Sequence, residues 1–250
     1  MTLLALHEVN KSYRDGLQDL VVLDNVSLEI DAGETIGILA SRRIGKTTLL
    51  KIAAGMESPD SGAVLWEGHD LSRLSTSKRA KFRRRRGIAL ALCEWQHVVS
   101  LKVAEHVAAP LYSDRLTMGE AERCAYRALE LTEAAQLGHR RTNQLSLSER
   151  VRVELARALV REPRLLLVDE PAILPRPGEA REFFSLLHSL PERAGLALVV
   201  ASDEIAAVRG ERVMNLNRRL YSTDSRRKVI ELHPRDGRGA GTRSASSDAS

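Results

Sequence analysis

The chain has 250 residues, 43% hydrophobic and 4% aromatic, with 38 basic against 33 acidic side chains and a formal charge of +5. That is apolar material for one ordinary core with subsidiary lobes, and a basic excess too small and too local to argue for a nucleic-acid partner. No run of about 18 apolar residues occurs, which excludes a membrane-spanning helix.

Residues 3–9 alternate and predict a strand, 11–16 a turn, and 21–30 a second strand. Residues 36–39 are a short apolar run, expected as a buried strand, and 48–54 have helical spacing that stops at Gly55. The breakers of 57–62 lead to a strand at 63–68. Residues 71–86 are polar and basic with helical character, closing in four arginines, Arg83 to Arg86. A short strand at 88–92, a loop to 101 and helical spacing at 103–111 follow, then an amphipathic helix at 117–135. Ser146 with Glu149 three residues on is a capping-box pattern that opens a helix over 146–160. Residues 165–168 predict a buried strand ending in Asp169 and Glu170; 179–190 a helix; 196–201 a buried strand; 204–208 the start of a helix. Closing strands are expected at 212–216 and 219–221, and 234–250, rich in Arg, Gly and Ser, is expected to be a disordered tail.

Short apolar strands alternating with helices predict an α/β fold, a mostly parallel sheet flanked by helices. Residues 1–233 form one expected domain, with 73–144 as an inserted helical lobe. The first residues show no basic region followed by an apolar core, so no signal peptide is expected. Cys93 and Cys124 have no metal spacing and suit a reducing compartment.

Between the strand at 36–39 and the helix after it stand Ala40, Ser41, Arg42, Arg43, Ile44, Gly45, Lys46 and Thr47. The phosphate-loop pattern is Gly-x-x-x-x-Gly-Lys-[Ser/Thr] between a strand and a helix. Here its second half is intact and its first glycine is Ala40. Polyphosphate needs backbone N–H groups converging at a helix N-terminus. Lys46 is placed to reach terminal phosphates, and the Thr47 hydroxyl to hold magnesium. Ala40 and the bulky Arg42, Arg43 and Ile44 bear on the shape of the loop. A chance Gly-Lys-Thr at a strand–helix turn is the bland alternative. The strand 165–168 opposes it, because it delivers two carboxylates at the end where parallel sheets bind ligands. One acid there can hold magnesium beside Thr47, and a second can orient or deprotonate water.

With these pieces the chain resembles the ATP-binding subunit of an ABC transporter, and most the branch serving lipoprotein release, macrolide export and cell-division permeases. Carrying the likeness are Val9-Asn-Lys-Ser-Tyr13, Gly45-Lys-Thr-Thr-Leu-Leu50, Ala54-Gly-Met-Glu-Ser-Pro-Asp-Ser-Gly62, Ala156-Arg-Ala-Leu-Val160 and Pro163-Arg-Leu-Leu-Leu-Val-Asp-Glu-Pro171. The resemblance implies a P-loop NTPase-type fold with an N-terminal antiparallel β subdomain, ATP and Mg2+ as cofactors, a second ATP-binding subunit (the same chain or another) and a membrane permease. It implies a cytoplasmic place on the inner face of the cell membrane. Tyr13 fits the aromatic that stacks on adenine. Ser41, Arg42, Arg43, Gly45, Lys46, Thr47 and Thr48 fit the phosphate loop, Thr47 and Asp169 the metal, Glu170 the candidate base, and Ser146 the surviving signature serine.

Several family positions depart. The magnesium-sensing glutamine falls at Cys93, with Gln96 three residues late; the signature reads Leu145-Ser-Leu-Ser-Glu149 without its two glycines; the aspartate after Pro171 falls at Arg176; and the switch histidine falls at Ser202. The departures imply retained nucleotide binding with little hydrolysis. Two readings of the loop arginines stand: they add charge-assisted contacts to phosphate, or Arg43 folds into the site in the nucleotide's place. A slow working ATPase and a nucleotide-free scaffold remain as alternatives. Arg83 to Arg86 read first as a solvated face, with acidic lipid headgroups, nucleic acid or a contact with the permease as the sharper alternatives. Trp66 reads as strand packing and Trp95 as an interface candidate.

Overall fold

The computed structural model describes residues 1–15, 18–41, 44–92, 100–114, 116–171, 176–208, 210 and 212–216. The expectations placed on Gly16, Arg42, Arg43, Cys93, Trp95, Gln96, residues 219–221 and the tail 234–250 lie outside them. The chain runs β1 (Thr2–Asp15), β2 (Gln18–Asp31), β3 (Thr35–Leu39), α1 (Lys46–Ala53), β4 (Ser61–Trp66), β5 (His69–Asp70), α2 (Thr76–Arg86), β6 (Ile88–Leu92), α3 (Val103–Ala108), α4 (Met118–Leu131), α5 (Leu147–Leu159), β7 (Leu165–Asp169), α6 (Pro177–Ala194), β8 (Ala197–Ser202) and β9 (Arg212–Asn215).

Two sheets form. One is antiparallel, in the order β2-β1-β4-β5; the other is parallel, in the order β6-β7-β8-β3-β9. The uniformly apolar strands are explained by what covers them. Along β7, Leu166 and Val168 face a core built with α3, α4, α5 and α6, while Leu165 and Leu167 face a second core built with α1 and the antiparallel sheet. A strand buried on both faces cannot alternate with polar residues, which is why this segment reads as continuous Leu-Leu-Leu-Val. β8 repeats the division, with Leu198 and Val200 on one side and Ala197, Val199 and Ala201 on the other.

Three expectations are corrected. The turn placed at 11–16 is strand as far as Asp15: Lys11 pairs with Leu23, Tyr13 with Leu20 and Asp15 with Gln18. Asp60 fixes this polar stretch by accepting from Lys11 Nζ at 2.9 Å and from the Ser12 amide at 2.7 Å. The helix expected from residue 71 begins only at Thr76; β5 and a turn come first, and Leu71 is buried. Within 73–144, the short strand expected at 88–92 is β6, which pairs along its length with β7. Around it α3, α4 and α5 share one core, through Val107, Ala125, Leu129, Val151 and Leu155. Finally, 204–208 makes a turn, not a helix: the Ala207 amide bonds the Glu204 carbonyl at 3.1 Å, and Ala207 and Val208 then plug into the core.

Candidate nucleotide site

The turn from β3 into α1 depends on Gly45. Its φ is +89°, and a Cβ there would lie 2.7 Å from Val22 Cγ1 and 2.9 Å from the Val22 carbonyl oxygen. Only glycine tolerates both the left-handed backbone and the close approach of β2. Gly45→Ala is therefore expected to destabilise the fold by about 2–4 kcal/mol, adding backbone strain to a steric clash; urea denaturation measures it. Ala40, by contrast, replaces a family glycine without penalty. It is buried and its φ is not positive, so a methyl group fits.

α1 opens with no side-chain cap and no acid in its first turn. Its first amides are thus left to an external acceptor, and the helix dipole favours an anion. Lys46 is only 5% exposed. Its ammonium donates to the carbonyls of Ala40 at 2.7 Å and Ser41 at 2.9 Å, and pairs with Glu170 Oε1 at 2.7 Å. An ammonium has three protons, and three acceptors take them. The next residue reaches the other acid: Thr47 Oγ1 donates to Asp169 Oδ2 at 2.5 Å. Loop and strand end, 122 residues apart in the chain, therefore meet through two consecutive side chains on each. Glu170 sits at φ +46°, with its amide bonded to the Ala201 carbonyl at 2.9 Å. A left-handed glutamate costs of the order of 1–3 kcal/mol, and such strain gathers where a side chain must be aimed.

Thr48 faces a different group. Its Oγ1 lies 3.4 Å from the Tyr13 hydroxyl, which donates to Glu57 Oε1 at 2.6 Å. Lys11 Nζ stands 5.4 Å from the Tyr13 ring centroid and pairs with Glu57 at 3.5 Å and Asp60 at 2.9 Å. Burial, and then the hydrogen bond to Glu57, push the Tyr13 phenol above its ordinary pKa. Tyr13 thus stands beside the first turn of α1 as a residue 39% exposed. In the sequence Glu57, Lys11 and Asp60 stand in a turn, a breaker cluster and the stretches that carry the family likeness. Nothing in their spacing shows that a strand 44 residues earlier brings a phenol to Glu57.

The remaining predicted positions have other partners. Ser146 caps α5: its Oγ accepts from the Glu149 amide at 3.3 Å, and its own amide donates to Glu149 Oε2 at 2.7 Å. Arg140 braces the box, reaching Glu149 Oε1 at 2.7 Å and the Gln144 carbonyl at 2.6 Å. Leu147 and Ser148 fill the first two helical positions, where the family has glycine. Burial acts to raise the Glu149 pKa, but the Ser146 and Arg140 hydrogen bonds prevail and hold it below its ordinary 4.5. A depressed carboxylate stabilises the fold above its unfolded pKa and ceases to do so as pH falls through the folded value. Glu149→Gln is accordingly expected to cost about 1 kcal/mol at pH 7, as for a lost cap, and the deficit should close below pH 4.5 in acid titrations of stability.

Ser202 is wholly buried at the end of β8, and its Oγ accepts from the Glu204 amide at 3.1 Å. One acceptor site of its hydroxyl is taken by its own loop. Arg176 is exposed and pairs with Glu179 at 3.1 Å, just ahead of α6. Among the described residues no group of three or more His, Cys, Asp or Glu side chains could hold a metal by itself. Thr47 with Asp169 is a pair of hard oxygen donors of the kind magnesium uses when substrate phosphates complete its shell.

Comparison with known proteins now adds weight to the geometry. The pattern of the ABC transporter family matches residues 23–173. The lipoprotein-releasing system ATP-binding protein LolD 2 of Caulobacter vibrioides is 36% identical over 210 residues, 82% of this chain and 90% of that protein. LolD of Shewanella denitrificans is 35% identical over 86% of this chain and 92% of its own length. Among solved structures, a dimeric post-hydrolysis state of the ATP-binding cassette MJ0796 bound to ADP and Pi superposes with a TM-score of 0.75 at 27% identity, covering 92% of this chain and 99% of that one. CbiO1 of Clostridium perfringens, described as part of the ABC transporter complex CbiONQ, gives a TM-score of 0.74 at 26% identity over 86% of this chain and 84% of its own. The fold, the paired loop and acids, and these matches agree: the chain belongs to the ABC transporter family, as an ATP-binding cassette.

Proposed function

We propose that the chain is the nucleotide-binding subunit of a transporter complex, binding Mg-ATP and docking on a membrane permease, with weak or no hydrolysis of its own. The observation that carries the reading is the meeting of Lys46 and Thr47 with Glu170 and Asp169 at the C-terminal edge of the parallel sheet. On arrival of a triphosphate, Lys46 exchanges its loop carbonyls for phosphate oxygens, and the α1 amides take up further oxygens. Thr47 and Asp169 would hold a magnesium ion, which would supply charge neutralisation on the phosphates. Glu170, released from Lys46, is the group able to accept a proton from water. Tyr13 offers its open ring face to the base. Base–aromatic stacking is worth about 1–3 kcal/mol, so Tyr13→Ala should weaken ATP binding roughly 5- to 150-fold while leaving affinity for inorganic tripolyphosphate unchanged.

The trigger is what this chain has lost. Ser202 is too short, and is already bonded to its own loop. Leu147 and Ser148 put side chains where a partner's γ-phosphate would approach. Each missing transition-state contact costs on the order of 10²–10³ in rate. The proposed organisation is one nucleotide-binding unit over 1–233, with the helices around 73–144 as a lobe and 234–250 as a tail, on the cytoplasmic face of the membrane. The partner cassette is either a second copy or a competent relative.

The retention of Glu170, in a strained and aimed conformation, favours a second reading: slow turnover when this chain's acids face an intact signature from another cassette. Phosphate release by the purified chain, alone and mixed with such a cassette, tests both. Release absent alone and present in the mixture, but lost with Glu170→Gln in this chain, supports an asymmetric pair. Rapid release by the chain alone overturns the proposal of weak hydrolysis.

A further inference from the structure

The segment Thr76–Arg86 carries seven Lys and Arg in eleven residues and no acid, more positive charge than the formal surplus of the entire chain. One face of α2 fixes it to the protein. Arg79 is buried, bonded to Ser58 Oγ and, at 3.4 Å, to Thr76 Oγ1. Phe82 turns inward against His69, with ring centroids 6.2 Å apart, and packs on the core. The opposite face presents Lys78, Lys81 and Arg85 at helical spacing, with Arg84 beside them, all exposed. Among the described residues none of these four has a hydrogen-bond or ion-pair partner. Arg140, Arg152, Arg161, Arg164 and Arg212, by contrast, all pair with carboxylates at 2.7–2.9 Å. The crowding is felt inside the run: burial, and then the charge of Arg84, lower the Arg83 pKa.

We propose that the exposed face of α2 docks on the anionic headgroups of a phospholipid surface. The complementarity is one of charge and shape, a straight basic helix face against a flat anionic layer. A nucleic acid fits less well. The helix carries seven basic side chains on a chain whose remainder is net acidic, and its one aromatic, Phe82, faces inward, so the helix itself offers no stacking platform. The placement also leaves the nucleotide site open. The C-terminal end of α2 abuts the N-terminal edge of the parallel sheet, where the amides of Arg164 and Leu165 bond the Gly87 carbonyl at 2.7 and 3.0 Å. Lys46 and Asp169 lie at the other edge. A membrane-transport family is one in which such a contact has a surface to meet.

The test is co-sedimentation of the full chain with vesicles containing phosphatidylglycerol and with vesicles of pure phosphatidylcholine, at low and high salt. Binding only to the phosphatidylglycerol vesicles, weakened by salt, is expected. The triple variant K78E/K81E/R85E should lose at least about 100-fold in partitioning, and K78R/K81R/R85K should retain it, with circular dichroism unchanged in both. Equal sedimentation with the two vesicle types overturns the proposal. So does undiminished binding by the charge-reversed variant, which would move the contact to another basic segment. Binding to duplex RNA or DNA without vesicle binding overturns it in favour of a nucleic-acid surface.

Discussion

Lys46→Ala is expected to lower the affinity for Mg-ATP by at least about 100-fold, the range for losing a charge-assisted contact in a buried site. The Lys46 side chain is 5% exposed and, among the described residues, is the cation in contact with Glu170. Removing it takes the phosphate's partner away and also leaves a carboxylate facing the γ-phosphate position uncompensated. Both effects oppose a polyanion. Lys46→Arg does not rescue the loss, because a planar guanidinium cannot address the Ala40 carbonyl, the Ser41 carbonyl and Glu170 as a compact three-proton donor does. Isothermal titration of each variant measures the effect, with the thermal unfolding midpoint recorded to separate folding from binding.

The largest stability loss from a single apolar truncation is expected at Leu167. It lies in the middle of β7, fully buried and flanked by β6 and β8. Its side chain points into the core shared by Ile36, Ile38, Leu49 and Val199. Leu167→Ala should cost about 2–5 kcal/mol, because a cavity walled by two sheet neighbours and α1 collapses poorly. Leu20→Ala, at a side chain 56% exposed on β2, should stay within about 0.5 kcal/mol and is the control. Because β7 also delivers Asp169, the buried variant should bind ATP more weakly wherever the folded population falls, and equally well where it does not.

The parts of the fold readable in advance are those where local and tertiary demands agree. β3, β7 and β8 are apolar on both faces and so are legible as buried strands. The Ser146–Glu149 box is legible because both of its partners are local. The meeting of Lys46 and Thr47 with Glu170 and Asp169 is legible because the proposed phosphate chemistry would restrict residue type at each position. What escaped is set by contacts distant in the chain. β1 extends through Lys11 and Tyr13 because Asp60 and β2 hold it, and neither signal is periodic. The stretch 204–208 looks helical by composition, but Ala207 and Val208 are drawn into the core, and Val208 packs against Gly37 of β3 at a distance no side chain would permit. Gly37 could have been noticed as a glycine inside an apolar strand, the usual mark of a close approach. The role of Glu57 had no sequence signal at all.

The family positions that depart also divide by physics. Ala40 is harmless because its φ is not positive. On the proposed function, Ser202, Leu147 and Ser148 would change the chemistry, since each would alter what can touch a γ-phosphate. A pocket with its grip intact and its trigger removed is the expected result. The most direct measurement is a calorimetric titration of the full chain with Mg-ATP, with free phosphate followed in the same sample. Saturable one-to-one binding with no phosphate above the enzyme-free control is expected. No heat at millimolar nucleotide, or steady turnover by the chain alone, would contradict it.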